Sequence, residues 1–164
     1  VDNADTAVGA GKFILVPDVD AVYVGTGVNS LTTTNGKTMT EDMKYIETVE
    51  AMDLIADDIR DEFRTNYLGK YKNCLDNQML FVAAVRGYFS DLAGSLILDN
   101  EYENTVDIDV TAQRAAWVAS GKTEASEWED AKVRQMSFKH TVYLTADIKT
   151  LGSMENLKFE IAMA

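Results

Sequence analysis

Apolar residues change their spacing along this chain, and this change restricts the fold more than any other feature. From residue 40 to 67 they recur every three or four positions, the period of a helix with one buried face. The positions in that helix are Tyr45, Val49, Met52, Ala56, Ile59, Phe63 and Tyr67. From residue 138 to 149 they recur every second position, the period of a strand. Together the two periods predict an α+β fold, with helices packed on an antiparallel or mixed β-sheet.

Further elements are predicted on both sides of the first helix. Short apolar runs at 12–16 and 21–24, separated by a proline turn, predict a hairpin. A second helix is predicted at 76–92, and its broad apolar face places Phe81 and Phe89 in the core. Two shorter helices are expected after it, at 112–120 and 127–136.

The 164 residues divide into three parts by composition and pattern. Residues 1–11 are small and polar, so we expect a flexible lead-in. Residues 12–149 form the predicted α+β domain, and residues 150–164 form a C-terminal arm. The arm ends in a predicted terminal β-strand, because apolar residues alternate there with polar ones. The apolar residues of this strand are Leu157, Phe159, Ile161 and Met163.

The chain is acidic, with 27 Asp and Glu residues against 15 Lys and Arg residues and a net charge of −12. Such a surface repels phosphate backbones and anionic membrane surfaces, so we expect neither nucleic acid nor a membrane as a partner. No apolar run approaches the roughly 20 residues that a membrane-spanning helix needs. The first residues have no signal-peptide pattern and no Met, so we expect a piece of a longer protein.

Residues suited to catalysis or metal binding are few. The one histidine, His140, is predicted in the middle of a strand, where a packed or hydrogen-bonded role is expected. The one cysteine, Cys74, cannot form an internal disulfide, carries no cysteine-protease signature and fits a reducing cytoplasm. Carboxylates recur on one face of the first helix without a Glu-x-x-His motif, which favours a solvated face. We therefore expect no catalytic site, no metal and no cofactor.

Two apolar residues, Met43 and Leu54, fall on the acidic side of the first predicted helix. An apolar side chain on a charged face is a place where another chain could pack, so both are candidate partner contacts. The alternative is that they are ordinary scattered surface residues, and the pattern alone favours neither interpretation.

Several segments carry a resemblance to a known family by their content and their order. They are residues 28–33, 49–55, 66–70, 76–85, 107–114, 144–149 and 153–159. Together they resemble the tail sheath family of contractile phages and R-type bacteriocins, most closely the sheaths of Gram-positive phages and prophage-derived particles. The resemblance extends from about residue 11 to the end of the chain, and its specificity rests on the number and order of the segments.

The resemblance implies a structural subunit that polymerises around a tail tube and drives contraction for envelope penetration. In that family the C-terminal domain faces the tube, and terminal strands join the sheets of neighbouring subunits. The implied partners are other copies of the sheath protein and the tail tube protein, with the baseplate and the tail terminator as further candidates. The implied location is the tail of a virion or phage-like particle assembled in the bacterial cytoplasm. Two alternatives stay open: another tail protein, such as a tube or terminator subunit, and a small-molecule enzyme that uses the acidic helix.

Overall fold

The computed structural model describes residues 2–155 and 157–163 of the chain. Three residues, which belong to the predicted lead-in and arm, lie outside the described ranges: Val1, Asn156 and Ala164. The chain forms two compact units, one of Val1–Ile55 with Leu151–Ala164 and one of Ala56–Thr150. The units are called the first and the second unit below.

The first unit begins with a short helix and a hairpin. Helix α1 (Asp2–Gly9) occupies most of the predicted lead-in, and Gly11, with a φ of 69°, takes the left-handed conformation that commonly follows a helix end. Small polar residues thus adopt helical turns here, and flexibility of the lead-in stays a prediction. Strands β1 (Leu15–Pro17) and β2 (Val22–Val24) pair antiparallel, which confirms the predicted hairpin.

The first predicted helix is interrupted at both ends. It comprises a 3-10 turn (Glu41–Lys44), helix α2 (Ile46–Glu62) and a π turn (Phe63–Tyr67). Tyr45 is extended between the 3-10 turn and α2, because it forms an isolated antiparallel bridge with Val28. A tertiary pairing therefore breaks the local helical pattern at this position.

The buried side of α2 differs from the predicted stripe. The buried residues are Thr48 and Ile55, whereas Met52 and Ala56 of the stripe are exposed. The remaining stripe residues of the helix and the π turn are half-buried: Val49, Ile59, Phe63 and Tyr67. The period of the apolar residues identified the helix. Which of its positions are buried depends on the tertiary contacts of α2, and these the period does not show.

The second unit has its core around helix α3 (Leu75–Gly94), close to the predicted helix at 76–92. The buried apolar residues of α3 are Phe81, Val82, Val85, Phe89 and Leu92. The helix packs against strand β3 (Thr105–Ile108), from which Val106 and Ile108 are buried. Strand β3 pairs antiparallel with β4 (Leu144–Asp147), so helices pack on an antiparallel sheet and the predicted α+β class is confirmed.

The strand predicted at 138–149 is wrong in its first half, since β4 begins only at Leu144. The preceding residues turn, and Lys139 has a φ of 45°. The side-chain amide of Asn73 donates to the carbonyls of Phe138, Lys139 and Thr141 at 3.3, 3.2 and 3.1 Å, which holds the turn. His140 is therefore an exposed turn residue and does not lie in the middle of a strand.

A satellite core lies beside the sheet of the second unit. Helix α4 (Val110–Ala119) is capped by Asp109, whose carboxylate accepts the N–H of Ala112 at 2.8 Å. A 3-10 turn (Thr123–Glu127) and helix α5 (Asp130–Gln135) replace the single helix predicted at 127–136. The buried residues of this core are Ala125, Trp128 and Val133.

Candidate interaction surface

The apolar segment, residues 157–163, has no helix or strand in the single chain. Its four apolar side chains are nearly free of contacts, with exposed fractions of 89% for Leu157, 75% for Phe159, 77% for Ile161 and 94% for Met163. Burial of each would contribute roughly 1.5–3 kcal/mol. The segment is therefore a strong candidate for contact with another chain, and strand formation in an assembly stays a prediction.

The start of the C-terminal arm is held within the first unit. The N–H and the hydroxyl of Ser153 donate to the carboxylate of Glu47 at 2.9 and 2.8 Å. Met154, the next residue, is already fully exposed. The attachment thus ends just before the apolar segment.

The hairpin of the first unit has one open edge. Gly25 N–H donates to the carbonyl of Ile14 at 3.0 Å, so these two residues form a hydrogen-bonded pair of the ladder. In an antiparallel ladder such pairs alternate with pairs whose backbone groups point outward. The N–H and carbonyl groups of Val22 and Val24 therefore point away from β1. Pro17 faces outward on β1 by the same alternation, and it has no N–H to offer. The β1 edge is therefore blunted, whereas the β2 edge keeps its donors and acceptors.

The sheet of the second unit follows the same alternation. Asp109 N–H donates to the carbonyl of Tyr143 at 3.0 Å, directly beyond the paired ends of β3 and β4. Every second residue therefore turns its backbone groups away from the partner strand. These residues are Val106 and Ile108 on β3, and Leu144 and Ala146 on β4.

Side chains close the outer edge of β3. Arg86 donates from Nε and Nη2 to the carbonyl of Val106 at 3.2 and 3.1 Å. The Oδ1 atom of Asp107 accepts the N–H of Ile108 at 2.8 Å. For the outer edge of β4, the described residues supply no such partners. A strand could therefore add to this sheet at β4, because β3 is occupied.

The two candidate partner contacts have different surroundings, although both belong to the first unit. Met43 lies in the 3-10 turn, half-buried, and its carbonyl accepts the side-chain amide of Asn29 at 2.7 Å. Leu54 lies on α2 with half of its side chain exposed. Only Leu54 thus offers a large apolar surface for another chain.

Titratable residues in the described parts of the chain take part in local hydrogen bonds and ion pairs. No group of three or more His, Cys, Asp and Glu residues is arranged there to hold a metal ion. Burial and a 2.5 Å hydrogen bond to Asp58 raise the pKa of Tyr88 to about 12, and a hydrogen bond from Lys149 lowers the pKa of Asp99. No helix in the described ranges combines the length and the hydrophobicity needed to cross a membrane.

The strand edges were missed by reasoning from the sequence. A proline in a predicted strand is a signal for a blunted edge, and Pro17 could have been used in that way. Arg86 and Asp107 give no such signal, because their edge contacts depend on which strands pair. The alternation at the end of the chain, in contrast, does identify the segment that lies exposed.

Comparison with known proteins identifies the family. Residues 38–164 match the model of the family described as the phage tail sheath C-terminal domain. The chain is 29% identical over 161 residues to the "Tail sheath protein" of Clostridium phage phiCD119, in an alignment that covers 98% of this chain and 44% of that protein. It thus spans less than half the length of this relative. The resemblance to the tail sheath family is confirmed, and the chain belongs to the phage tail sheath C-terminal domain family.

Proposed function

We propose that the chain is part of a structural subunit of a contractile tail sheath, in a phage or in a phage-like particle such as an R-type bacteriocin. The subunit polymerises around the tail tube, and rearrangement of the polymer drives the tube through the target envelope. The family assignment supports this proposal. The structural observation that carries it is the apolar segment, which exposes four alternating apolar side chains and forms no helix or strand in the single chain.

The apolar segment acts by adding as a strand to an open sheet edge of a neighbouring copy. Its seven residues span about 23 Å when extended, at about 3.3 Å per residue. Alternation then places Leu157, Phe159, Ile161 and Met163 on one face, while the backbone forms the ladder. Among the described residues, the strand edges without such side-chain or proline blocks are those of β2 and β4.

The hairpin of the first unit supports the same mode of assembly. A two-stranded hairpin without a covered apolar face is marginally stable in water. In this hairpin five apolar side chains of the strands and their loop are at least half exposed: Leu15, Val19, Val22, Tyr23 and Val24. An added strand would both complete the sheet and cover part of this surface.

The partners of the proposed subunit are other copies of the sheath protein and the tail tube protein, with the baseplate and the tail terminator as further candidates. A donated strand makes a head-to-tail contact, and such contacts generate rings or open helical stacks. The subunit is placed in the tail of the particle, after assembly in the bacterial cytoplasm. The net charge of −12 supports the exclusion of nucleic acid and membranes as partners.

We expect no catalytic role. His140 and Cys74 are each the only residue of their type, and both are exposed. The enzyme alternative would use the carboxylates on the acidic face of the first predicted helix. Some of these carboxylates form ion pairs along the helix surface, for example Asp57 with Arg60 and Asp61 with Arg64. The family assignment also argues against a tube or terminator subunit.

The test is electron microscopy of particles that contain the full-length parent protein. Extended tails that convert to shorter, wider sheaths after exposure to a contraction trigger are the expected result. Antibodies against residues 56–150 should decorate those sheaths after contraction or after partial disassembly. Smooth tubes that never contract, or labelling confined to the end of the tail, would overturn the proposal.

A further inference from the structure

We infer that residues 138–143, called the turn segment below, have a second conformation in which they extend β4, and that Asn73 holds them in the turn. The period of two that predicted a strand at 138–149 runs without a break through this segment. The chain nevertheless turns there, and β4 begins only at Leu144. A local pattern that disagrees with the fold is expected at strained or functional sites, and this disagreement marks the turn segment as such a site.

The turn carries backbone strain. Lys139 has a φ of 45°, in the left-handed region that residues with a side chain seldom adopt. The N–H of Thr141 closes the turn by donating to the carbonyl of Phe138 at 2.9 Å. An extended conformation would relieve the strain at Lys139, so the turn persists only because the surrounding structure supports it.

Much of this support comes from the side chain of Asn73. Its amide donates to the carbonyls of Phe138, Lys139 and Thr141 at 3.3, 3.2 and 3.1 Å. Successive carbonyls of a strand point in opposite directions, so these three carbonyls can meet one amide only when the chain turns. The contacts with Asn73 are therefore lost when the turn segment extends.

A buried glutamine fixes the orientation of Asn73. Gln78 is 2% exposed, and its Nε2 donates to Oδ1 of Asn73 at 2.6 Å, which leaves the amide nitrogen of Asn73 to face the turn. The Oε1 atom of Gln78 has no donor among the described residues, and a buried acceptor without a partner destabilises the state that contains it. The strain at Lys139 and the unpaired atom of Gln78 both narrow the free-energy difference between the two conformations.

The packing of the sheet gives the extended conformation a place. Leu144 and Ala146 pair with Ile108 and Val106, whose buried side chains lie on the face that packs against α3. Alternation from Leu144 directs residues 140 and 142 of an extended segment to this same face.

A cavity of about 380 Å³ lies beside the turn. It is lined by His140 and Val142 of the turn segment and by aromatic rings, including Phe81 of α3 and Tyr67. The side chains of an extended segment would therefore meet open space with apolar walls, and not side chains that are already packed.

An aromatic contact at the start of the segment opposes the change. The ring of Phe138 packs edge-on against that of Trp117, with the centroids 5.0 Å apart. Such a pair stabilises the conformation that brings the rings together. Phe138 and Asn73 thus both favour the turn, so the turn is the main state of the unaltered chain and the extended form is a minor state.

Extension would lengthen the outer edge of β4. The residues of β4 whose backbone groups face outward are Leu144 and Ala146, and the same alternation adds His140 and Val142. This consequence, unlike the change of conformation itself, rests on the proposed function, in which another chain adds a strand. Asn73 is then a positioning residue that keeps the open edge short, as natural sheets do to avoid unwanted pairing.

NMR of the complete chain tests the inference, because Cα and Cβ chemical shifts distinguish a turn from a strand. In the unaltered chain, residues 139–142 should have the shifts of a turn. Asn73→Ala should raise the extended population by roughly tenfold or more, since several hydrogen bonds to the turn are lost together. Asn77→Ala is the matched control, because its amide donates to the carbonyl of Lys72 at 2.8 Å, and it should leave these shifts unchanged.

Substitutions of Lys139 act on the same equilibrium through the backbone. Lys139→Val should resemble Asn73→Ala, because a β-branched residue is strongly disfavoured at positive φ. Lys139→Gly favours the turn, so its combination with Asn73→Ala should restore the shifts of the turn. Lys139 is exposed, so Lys139→Val also provides the test if Asn73→Ala fails to fold.

Three results would overturn the inference. The first is the persistence of turn shifts in both Asn73→Ala and Lys139→Val. The second is random-coil shifts with low order parameters at 139–142, because Asn73 would then hold the turn against disorder and not against a strand. The third is an equal change with Asn77→Ala. None of these results bears on the proposed function, which fails separately if the unaltered full-length parent forms no contractile sheath.

Discussion

Arg134 on α5 binds the carboxylate of Asp107 on β3 with both terminal nitrogens of its guanidinium group. The same carboxylate accepts the backbone N–H of Ile108 at 2.8 Å. One side chain therefore joins the satellite core to the sheet and also occupies a donor on the outer edge of β3. A bidentate pair of this kind fixes direction as well as distance, so it favours the closed state of that edge.

Loss of this ion pair is expected to destabilise the second unit only moderately. The side chains of Arg134 and Asp107 are 32% and 39% exposed, so solvent screens their attraction, and Arg134→Ala should cost about 1 kcal/mol. Urea denaturation measures the change. Arg60→Ala is the control, because its pair with Asp57 is 62% and 67% exposed and should contribute less than about 0.5 kcal/mol. Equal losses for both variants would show that the Arg134 pair has no special role.

Truncation of the core of α3 is expected to have a much larger effect. Phe81 and Phe89 are 5% and 1% exposed, so Phe81→Ala and Phe89→Ala should each cost roughly 3–5 kcal/mol. Leu80→Ala, one position away from Phe81 and 47% exposed, should cost less than about 1 kcal/mol. Thermal and chemical denaturation compare the three variants. Similar melting curves for all of them would contradict the placement of this helix in the core.

These core positions could be predicted because the pattern that identifies them is local. The apolar face of α3 follows from spacing alone, and the structure buries both phenylalanines. The first half of the strand predicted at 138–149 could not be excluded in this way. The turn there depends on Asn73, more than sixty residues earlier, whose amide binds three carbonyls of the turn. Long-range polar contacts of this kind leave no periodic signal.

In the candidate interaction surface, too, features that depend on a local pattern could be predicted, and features that depend on long-range contacts could not. The alternation in residues 157–163 marked a segment with an apolar face, and in the structure its apolar side chains are exposed. The closed edge of β3 could not be foreseen, since Arg86 reaches Val106 only once helix and strand are packed. Met43 and Leu54 are equivalent in the sequence pattern, but in the structure Met43 is half-buried and Leu54 is exposed.

Stability at high pH should depend on Tyr88. Burial, and then the hydrogen bond and charge of Asp58, raise the pKa of its phenol from 10.0 to about 12. Between pH 10 and about 12 the folded state keeps this proton while the unfolded state loses it, so a rise in pH favours unfolding. The contribution of Tyr88 to the free energy of unfolding is therefore complete below pH 10 and is lost as the pH rises towards 12. Tyr88→Phe should therefore be less stable than the parent below pH 10, with the difference narrowing between pH 10 and 12.

Denaturation series across that pH range measure the effect. Absorbance of the tyrosinate in the folded chain provides a second measurement. Asp58→Asn keeps a hydrogen-bond acceptor but removes the charge, so it should shift the titration of Tyr88 to lower pH. A stability difference between parent and Tyr88→Phe that stays constant throughout the alkaline range would exclude this linkage.

Leu54 and Met43 should respond differently to the introduction of a charge. Leu54 is 50% exposed on α2, so Leu54→Asp should leave the melting temperature almost unchanged and reduce sheath assembly if another chain packs there. Met43→Asp should lower the melting temperature, because its half-buried side chain would carry an unpaired charge. Ala56→Asp, two positions further along α2 and exposed, adds the same charge and is the control. Normal assembly with Leu54→Asp would remove this residue from the interface.

Assembly should depend most strongly on the apolar segment. In the full-length protein, deletion of residues 156–164 should leave this domain folded but abolish sheath formation, because Ser153 and the residues before it still hold the start of the arm. Phe159→Asp should act in the same way. An added strand would turn that side chain toward an apolar face, where a charge would be buried without a partner.

Lys158→Asp provides the matched control, since it introduces the same side chain at the adjacent position. Alternation directs residue 158 to the opposite face of the added strand, where water can still solvate a charge. Electron microscopy of particles and circular dichroism of the isolated chain should therefore separate the two substitutions. Sheaths should be absent with Phe159→Asp and present with Lys158→Asp, while both chains keep the same helical signal. Contractile sheaths formed by the truncated protein would disprove strand donation by this segment, and an unfolded truncated chain would show that the segment belongs to the fold of its own copy.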